Sequence, residues 1–391
     1  MRQLALAKKL LWLTLGSIFI TVVVLSSVLW WQLSSSNKVL SAQAEKLIVT
    51  EVEEKLTSNA AVYGEKIAGF INEAYRVPFS LAAILGNESA KDALTRDSVV
   101  QLNRSIIEGN SILSSIYSQF EANGFDGNDQ QYKSGFDHSV AGQGTLEIYF
   151  TRSREGVIEQ QVVEDAAEKY VTTLNEFGQR EAEWYLCAKD TKKPCIMEPY
   201  LYEISPGNSE MMTSLTVPIL RDGKFIGLSG VDITLPVFQT MTEQLSKELY
   251  NGQARVTLLS SMDLIVGSSH NKDKLGRPLK EAVSASVLKN YTSLKESSGV
   301  QKSENEYLVN YPIDIKLAGR QWTLLVEVPA ELALQGPQQL SASMQDNANT
   351  LGGLILISGL VIAGAAFIIM TLVVKSIVAP LQQIQLRVDN L

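Results

Sequence analysis

The sequence predicts an α+β fold carried between two membrane-spanning helices. Three observations support this: an uncharged apolar run near each end of the chain, helical periodicity directly after the first run, and alternating strand patterns farther on. The apolar runs cover residues 10–31 and 351–374. At about 1.5 Å per residue each run reaches roughly 33–36 Å, enough to cross a hydrocarbon core of about 30 Å.

The flanks of the two runs predict how the chain is oriented. Short basic flanks tend to stay in the cytoplasm, and basic residues lie outside both runs: Arg2, Lys8, Lys9, Lys375 and Arg387. Residues 1–9 and 375–391 are therefore predicted to be cytoplasmic and residues 32–350 periplasmic, in a bacterial inner membrane protein that crosses twice. The alternative is a cleaved signal peptide, but the first run exceeds the usual roughly 7–15 apolar residues and lacks a small-residue cleavage site.

The charge of the predicted periplasmic segment limits its partners. The chain has 34 basic and 42 acidic residues, a net charge of −8. Without the five basic residues at the ends and Asp389, the segment keeps 29 basic and 41 acidic residues, a net charge of −12. This balance argues against nucleic acid as a partner and favours cationic ligands.

Both cysteines fall in this segment, at Cys187 and Cys195. In an oxidising periplasm, a pair eight positions apart is expected to form a disulfide across the turn at Lys192-Lys193-Pro194. Closing such a short loop contributes about 2.5 kcal/mol in the chain-entropy model. The alternative is a pair of free, buried thiols.

Helical signals come first along the segment. Apolar residues recur at helical spacing from Leu40 to Ala74, with charges on much of the other face, so a long helix is predicted directly after the first span. A second helix is predicted at about Asp97–Phe120, before the turn signal Asn123-Gly124.

Strand signals follow. Alternate apolar residues predict a strand at about residues 146–150, and a hairpin joins Ser214–Leu220 to Lys224–Ile233 through Asp222-Gly223, a favoured two-residue turn. Later strands are predicted at residues 256–259, 264–266, 307–309 and 322–328, and a polar helix at residues 335–350. We therefore expect two stacked modules, a distal one at about residues 80–240 and a smaller proximal one at about residues 250–330.

This order of elements resembles the double-Cache sensor of methyl-accepting chemotaxis proteins, which consists of a long helix and two PAS-like α/β modules with antiparallel sheets. The motifs that carry the resemblance lie at residues 125–129 (FDGND), 198–202 (EPYLY), 212–219 (MTSLTVPI) and 222–233 (DGKFIGLSGVDI), and residues 376–381 (SIVAPL) resemble the start of a HAMP domain. The resemblance implies a homodimer that signals through HAMP to cytoplasmic CheA/CheW-type proteins.

The resemblance also implies a ligand site in the distal module. Family members that bind amino acids have an Arg two positions before a Trp-Tyr pair, a later Tyr, and an Asp in a Gly-Val-Asp strand. Trp184, Tyr185, Tyr200 and Asp232 match this pattern, but the Arg position holds Ala182. Amino acids are therefore the less favoured ligand class.

An amine or polyamine is the favoured ligand. Glu183, directly before Trp184, is similar to the acidic residue of amine-binding members, and Tyr202 is expected to share a strand face with Tyr200. Carboxylates and aromatic faces are what an ammonium group needs. If Trp184 and Tyr185 lie on a strand, they face opposite ways, and at least one of them is structural. Asp232 stands between apolar neighbours and needs a partner.

Other functions remain as alternatives. The same sensor architecture precedes histidine kinases and diguanylate cyclases, and a membrane-anchored periplasmic enzyme is a third possibility. Catalysis has little support, because the chain has only His138 and His270 and no Gly-x-Ser-x-Gly elbow. We therefore predict no catalytic residues, no metal site and no cofactor.

Overall fold

The computed structural model describes residues 2–205, 207–295 and 299–388. It contains two compact units: one is formed by the residues up to Val52 together with those from Leu334 onward, and the other by Glu53–Ala333. The helices are α1 (Arg2–Gly86), α2 (Ala90–Ala93), α3 (Arg96–Gly109), α4 (Glu183–Thr191), α5 (Leu235–Glu248), α6 (Ala285–Leu294) and α7 (Ala330–Val388).

The first unit contains the candidate membrane spans. Trp12–Ser36 in α1 and Gln345–Val373 in α7 are long and apolar enough to cross a membrane, and almost none of their surface is buried within the protein. Large apolar side chains such as Phe19 and Ile357 are exposed, as expected of helices that face lipid. The predicted HAMP start at residues 375–391 is helical to Val388, and its last three residues lie outside the described part of the chain.

The second unit contains two antiparallel sheets. Its strands are β1 (Ser115–Phe120), β2 (Glu147–Arg152), β3 (Ile158–Gln161), β4 (Cys195–Ile196), β5 (Tyr200–Ser205), β6 (Asn208–Arg221), β7 (Lys224–Thr234), β8 (Arg255–Leu259), β9 (Ile265–Ser268), β10 (Gly299–Lys302), β11 (Glu306–Ile315) and β12 (Arg320–Pro329). One sheet has the order β3-β2-β1-β7-β6-β4, with β5 also paired to β6, and the other has the order β10-β11-β12-β8-β9. The predicted α+β fold with antiparallel sheets is confirmed.

The predicted hairpin forms the centre of the first sheet. Strands β6 and β7 pair antiparallel through Asp222-Gly223, whose φ angles of 48° and 73° are those of a type I′ turn. This hairpin brings Asp232, near the end of β7, opposite Ser214 on β6 and Ser115 on β1. The pairing of β1, β6 and β7 thus places one carboxylate between two hydroxyl groups.

The predicted second helix is wrong over its last eleven residues, 110–120. α3 ends at Gly109, and Ser115–Phe120 forms strand β1. All six residues of β1 are buried. Its sequence, SIYSQF, has no alternation of apolar and polar residues, and Ile116 and Phe120 are spaced as on one face of a helix, so the stretch gives no strand signal.

A buried arginine ties the start of α3 to the loop between β1 and β2. Arg96, at the start of α3, forms a bidentate ion pair with Asp126 at 2.8 and 2.9 Å and binds Asp129 at 2.7 Å. It also donates to the carbonyl oxygen of Gly144 at 2.6 Å, and its guanidinium lies 4.0 Å from the centre of the Tyr132 ring. The two aspartates that follow α3 are therefore structural partners of Arg96.

Replacing Arg96 is expected to destabilise the fold strongly. Arg96→Met leaves Asp129 buried without its cation, which costs about 3–5 kcal/mol. Arg104→Met on the same helix removes an exposed contact of 3.9 Å to Glu108 and is expected to cost less than about 1 kcal/mol. Urea unfolding of both variants measures the difference, and equal losses would contradict this account.

Candidate functional site

A small cavity lies against the first sheet, among β1, β2, β5, β7, α4 and the loop after β3. We call it the inner cavity; it has a volume of about 40 Å³. Its lining residues are Tyr117, Gln119, Tyr149, Val163, Asp165, Ala166, Glu168, Lys169, Trp184, Tyr200, Tyr202 and Asp232. Four of the six predicted ligand contacts, Trp184, Tyr200, Tyr202 and Asp232, therefore lie together.

Asp232 is the buried carboxylate of this cavity. Its side chain is 3% exposed and accepts hydrogen bonds from the Ser214 hydroxyl at 2.6 Å and from the Ser115 hydroxyl. It makes no ion pair within residues 2–205, 207–295 and 299–388. Burial raises the pKa of Asp232 to about 6, although the hydroxyls of Ser115, Ser214 and Tyr117 act to lower it.

Tyrosine rings surround this carboxylate. The ring centres of Tyr117 and Tyr149 are 6.1 Å apart, those of Tyr149 and Tyr202 6.3 Å, and those of Tyr200 and Tyr202 6.4 Å, all edge to face. Tyr200 and Tyr202 share a face of β5, as their alternation predicts. These contacts give the cavity an aromatic wall in the geometry that aromatic pairs prefer.

Two of these tyrosines have hydroxyls that complete no hydrogen bond of ordinary geometry. The hydroxyls of Tyr117 and Tyr149 are buried and make no such bond in the described part of the chain, although the Tyr117 hydroxyl lies near Asp232 and Ser214 and the Tyr149 hydroxyl near Ser115. Tyr117 reaches this position because β7 has a glycine opposite it: a Cβ on Gly230 would lie 2.3 Å from the Tyr117 ring. A buried hydroxyl without a partner costs free energy, and a bound ligand can supply that partner.

Trp184 closes the cavity from α4, not from a strand as considered above. Its ring lies edge to face with Tyr117 at 5.7 Å. A disulfide between Cys187 and Cys195 links α4 to β4. Because neighbouring residues on a helix diverge by about 100°, Trp184 faces the cavity while the residues beside it face elsewhere.

Tyr185 and Glu183 do not line the inner cavity. Tyr185 is fully buried, and its hydroxyl donates to Glu121 at 2.7 Å. Glu183 accepts from Arg180 at 2.6 Å and lies beside a larger open groove. The helical geometry of α4 thus keeps both residues out of the inner cavity, and a role for them in ligand binding stays a prediction.

The sequence reasoning missed Tyr117, Tyr149 and Lys169. Tyr117 was hidden because β1 was taken for the end of a helix. Tyr149 lies in a strand whose existence was predicted but whose partners were not, and Lys169 follows a loop without a periodic pattern. Of these three residues, only Tyr149 could have been found from the sequence, through the alternation of apolar residues around it.

A second, larger space adjoins the cavity. This outer groove has a volume of about 1220 Å³ and shares Tyr149, Glu168, Trp184 and Tyr202 with the inner cavity. Both arginines that line it are occupied by carboxylates: Arg180 binds Glu183 and Asp190, and Arg277 binds Glu176 and Glu281. The groove also has further glutamates, at residues 164, 168, 181, 198 and 203, so acidic groups predominate along it.

Comparison with known proteins assigns the module to a class. Residues 128–240 match the family model described as methyl-accepting chemotaxis protein-like, first PDC sensor domain. The cavity, which takes residues from this stretch and from β1, therefore lies mostly in the part of the chain that is similar to the first PDC sensor domain of chemoreceptors.

Particular relatives agree with this class. The chain is 29% identical to the methyl-accepting chemotaxis protein TlpQ of Pseudomonas aeruginosa over 246 residues, which are 62% of this chain and 34% of that protein. The chain thus spans about a third of the length of this curated relative.

Solved structures share the fold. Methyl-accepting chemotaxis protein X has a TM-score of 0.56 at 22% identity, covering 72% of this chain and 99% of its own. The extracellular domain of a protein assigned as a histidine kinase, mmHK1S-Z3, has a TM-score of 0.57 at 18% identity, covering 73% and 97%. Two PDC/Cache-like modules are therefore present in this chain.

The raised pKa of Asp232 has a consequence for stability. The free aspartate pKa is about 3.9, so the folded, ligand-free protein holds this proton more tightly than the unfolded chain, and ionising Asp232 above pH 6 costs about 2–3 kcal/mol. Asp232→Asn is therefore expected to raise the free energy of unfolding at pH 7.5, and its advantage over wild type is expected to shrink as the pH is lowered to 5.

Thermal and urea unfolding without ligand measure this effect. Asp165→Asn, an exposed residue of the same cavity rim, is the control and is expected to change stability by less than about 0.5 kcal/mol. An Asp232→Asn variant less stable than wild type at pH 7.5 would show that the carboxylate is not the strained group described here.

Proposed function

We propose that this chain is the sensor part of a transmembrane chemoreceptor that binds a small cationic amine in its distal module. The observation that carries the proposal is Asp232: a buried carboxylate without a cation, enclosed by aromatic rings. A buried charge is expected to be paired. In this protein we assign the missing cation to the ligand.

An ammonium group fits the chemistry of the inner cavity. It donates to the Asp232 carboxylate in charge-assisted hydrogen bonds, each worth about 1.5–3 kcal/mol. The free hydroxyls of Tyr117 and Tyr149 can accept its remaining protons. The faces of the surrounding rings attract a cation by a further 0.5–2 kcal/mol or so.

The size of the two spaces favours an elongated amine. The inner cavity, at about 40 Å³, suits a head group, and the outer groove provides space for a longer chain. The glutamates along that groove are suited to a second ammonium group. Diamines and polyamines satisfy both requirements.

An amino acid is the less favoured ligand. The position of the family's carboxylate-binding Arg holds Ala182, which is buried. The nearby Arg180 binds Glu183 and Asp190 at 2.6 and 2.7 Å, so its charge is already used. A ligand carboxylate would instead meet Asp232 and the acidic groups of the rim.

The signal would leave the sensor through the helices that continue into the candidate spans. Ligand binding shifts a conformational equilibrium only by its differential affinity, commonly about 1–3 kcal/mol. We infer a periplasmic sensor in the inner membrane, a homodimer, and output through HAMP to CheA/CheW-type proteins. The match to a chemotaxis family model supports this output. The alternative is output through a histidine kinase or a diguanylate cyclase, since the fold also occurs in a protein assigned as a histidine kinase.

Calorimetry with the chain in lipid nanodiscs tests the proposal. Putrescine, spermidine and histamine are titrated beside a panel of amino acids at pH 7.5, and we expect the amines to bind. Asp232→Asn is expected to weaken amine binding roughly 30-fold or more, because it removes one partner of a buried charge pair. Asp222→Asn is the matched control, with an expected change of less than about threefold, since Asp222 lies in the exposed hairpin turn and lines neither the inner cavity nor the outer groove.

Binding of an amino acid instead of an amine, or unchanged amine affinity in Asp232→Asn, would overturn the assignment. Asp232→Asn is expected to fold at least as stably as wild type, so its loss of binding is not explained by unfolding.

Amine affinity is also expected to depend on pH. The amine binds the ionised form of Asp232, whose pKa in the free protein is about 6. Lowering the pH from 7.5 to 5 should therefore weaken binding at least tenfold or so through Asp232 alone, and binding near pH 6 should release protons. Titrations in two buffers of different ionisation enthalpy measure this release, and proton uptake on binding would contradict the prediction.

A further inference from the structure

A buried ion pair lies at the wall of the inner cavity. Lys169 is the only cationic residue among those that line the cavity, all of which the structure describes. Its ammonium contacts the Glu147 carboxylate and donates to the carbonyl oxygen of Phe120 at 2.5 Å. The side chains of Lys169 and Glu147 are 2% and 1% exposed, so water does not screen their charges.

The pair joins the loop over the cavity to the sheet. Lys169 belongs to the short 3₁₀ turn Glu168–Tyr170, which follows the loop that supplies Val163 and Asp165 to the cavity lining, while Glu147 begins β2. The Lys169 ammonium also lies 5.5 Å from the ring centre of Tyr170 and 5.2 Å from that of Tyr185. Lys169 is thus held in place by several partners.

A gain in stability is not a sufficient explanation for the pair. Burying two charges costs several kcal/mol each, and a buried ion pair can often be replaced by apolar residues without loss of stability. The second carboxylate oxygen of Glu147 is buried and makes no hydrogen bond to any described residue. The hydrogen-bonding capacity of the Glu147 carboxylate is therefore only partly used, and what Glu147 supplies to this part of the protein is a negative charge beside Lys169.

We infer that Glu147, which does not line the cavity, determines the class of ligand that the cavity accepts: it neutralises Lys169 and so keeps the inner cavity selective for cations. This inference rests on the proposed amine binding at Asp232. Without the Glu147 charge, an ammonium ligand would meet an uncompensated cation in a poorly screened cavity. A ligand carboxylate would gain an attractive partner there.

The neighbouring acid cannot take over this role. Glu121 binds Lys189 at 2.9 Å and accepts from the Tyr185 hydroxyl at 2.7 Å. Both bonds hold the pKa of Glu121 low despite partial burial. Its charge is therefore committed to Lys189, which lies closer to solvent than Lys169.

The test compares putrescine with 4-aminobutyrate. The two ligands have the same chain length, and in 4-aminobutyrate a carboxylate replaces one of the two ammonium groups of putrescine. Binding to the chain in nanodiscs is measured at pH 8, where Glu147, whose pKa burial raises to about 7, is ionised. Glu147→Gln is expected to weaken putrescine binding at least about tenfold and to lower the affinity ratio of putrescine to 4-aminobutyrate by at least the same factor.

A second variant separates charge from structure. Glu147→Gln/Lys169→Met removes both charges and is expected to bring the affinity ratio back to within about threefold of wild type. Glu121→Gln, which removes a carboxylate from the adjacent network, is expected to leave the ratio within about threefold. Circular dichroism and thermal unfolding establish that each variant is folded.

The outcomes are distinguishable. If wild type binds putrescine and Glu147→Gln leaves the affinity ratio of putrescine to 4-aminobutyrate unchanged, the inference is overturned and the proposed function stands. The inference is also overturned if the double variant is folded but its affinity ratio is no closer to that of wild type than the ratio of Glu147→Gln. The effect of Glu147→Gln would then be structural. If wild type binds no amine, both the inference and the proposed function fail.

Discussion

The site depends on one constraint: a carboxylate is held in the core of an antiparallel sheet with hydroxyl groups as its only observed partners. Asp232 lies on the central strand β7, and the pairing of β7 with β1 and β6 puts Ser115 and Ser214 on either side of it. Two neutral hydrogen bonds do not replace the hydration of an ion, which is why burial raises the pKa of Asp232 to about 6. The ligand-free sheet is therefore less stable than it could be, as is common where a protein keeps a group ready for binding.

The surroundings of Asp232 follow from this constraint. The hydroxyls of Tyr117 and Tyr149 complete no hydrogen bond of ordinary geometry with the described residues, and Lys169, the cation of the cavity lining, is bound to Glu147. The two arginines of the outer groove are likewise bound to acids. Each cation near the site thus has a carboxylate of its own, which leaves Asp232 available to a ligand.

Much of the fold could be predicted from the sequence, because its signals are local. The two apolar runs, the Asp222-Gly223 turn and the alternation of the strands in the second sheet each act through neighbouring residues. The end of the predicted second helix, residues 110–120, could not, since the buried strand β1 carries polar residues on both faces and shows no alternation. Trp184 was expected near the ligand by resemblance, but that it faces the cavity while Tyr185 does not depends on α4 being a helix, which two adjacent aromatic residues do not reveal.

The charge arrangement of the site was the least predictable part. Asp232 stood out because an acid between Val231 and Ile233 needs a partner, but nothing local connects Glu147 with Lys169, which are 22 positions apart and meet only when β2 and the loop after β3 pack together. Ion pairs between distant segments are set by tertiary structure.

A crystal structure of the sensor with putrescine bound tests the central claim most directly. The account predicts one ligand nitrogen within about 3 Å of an Asp232 carboxylate oxygen, inside the ring of tyrosines. A ligand bound elsewhere, with no nitrogen near Asp232, would contradict it.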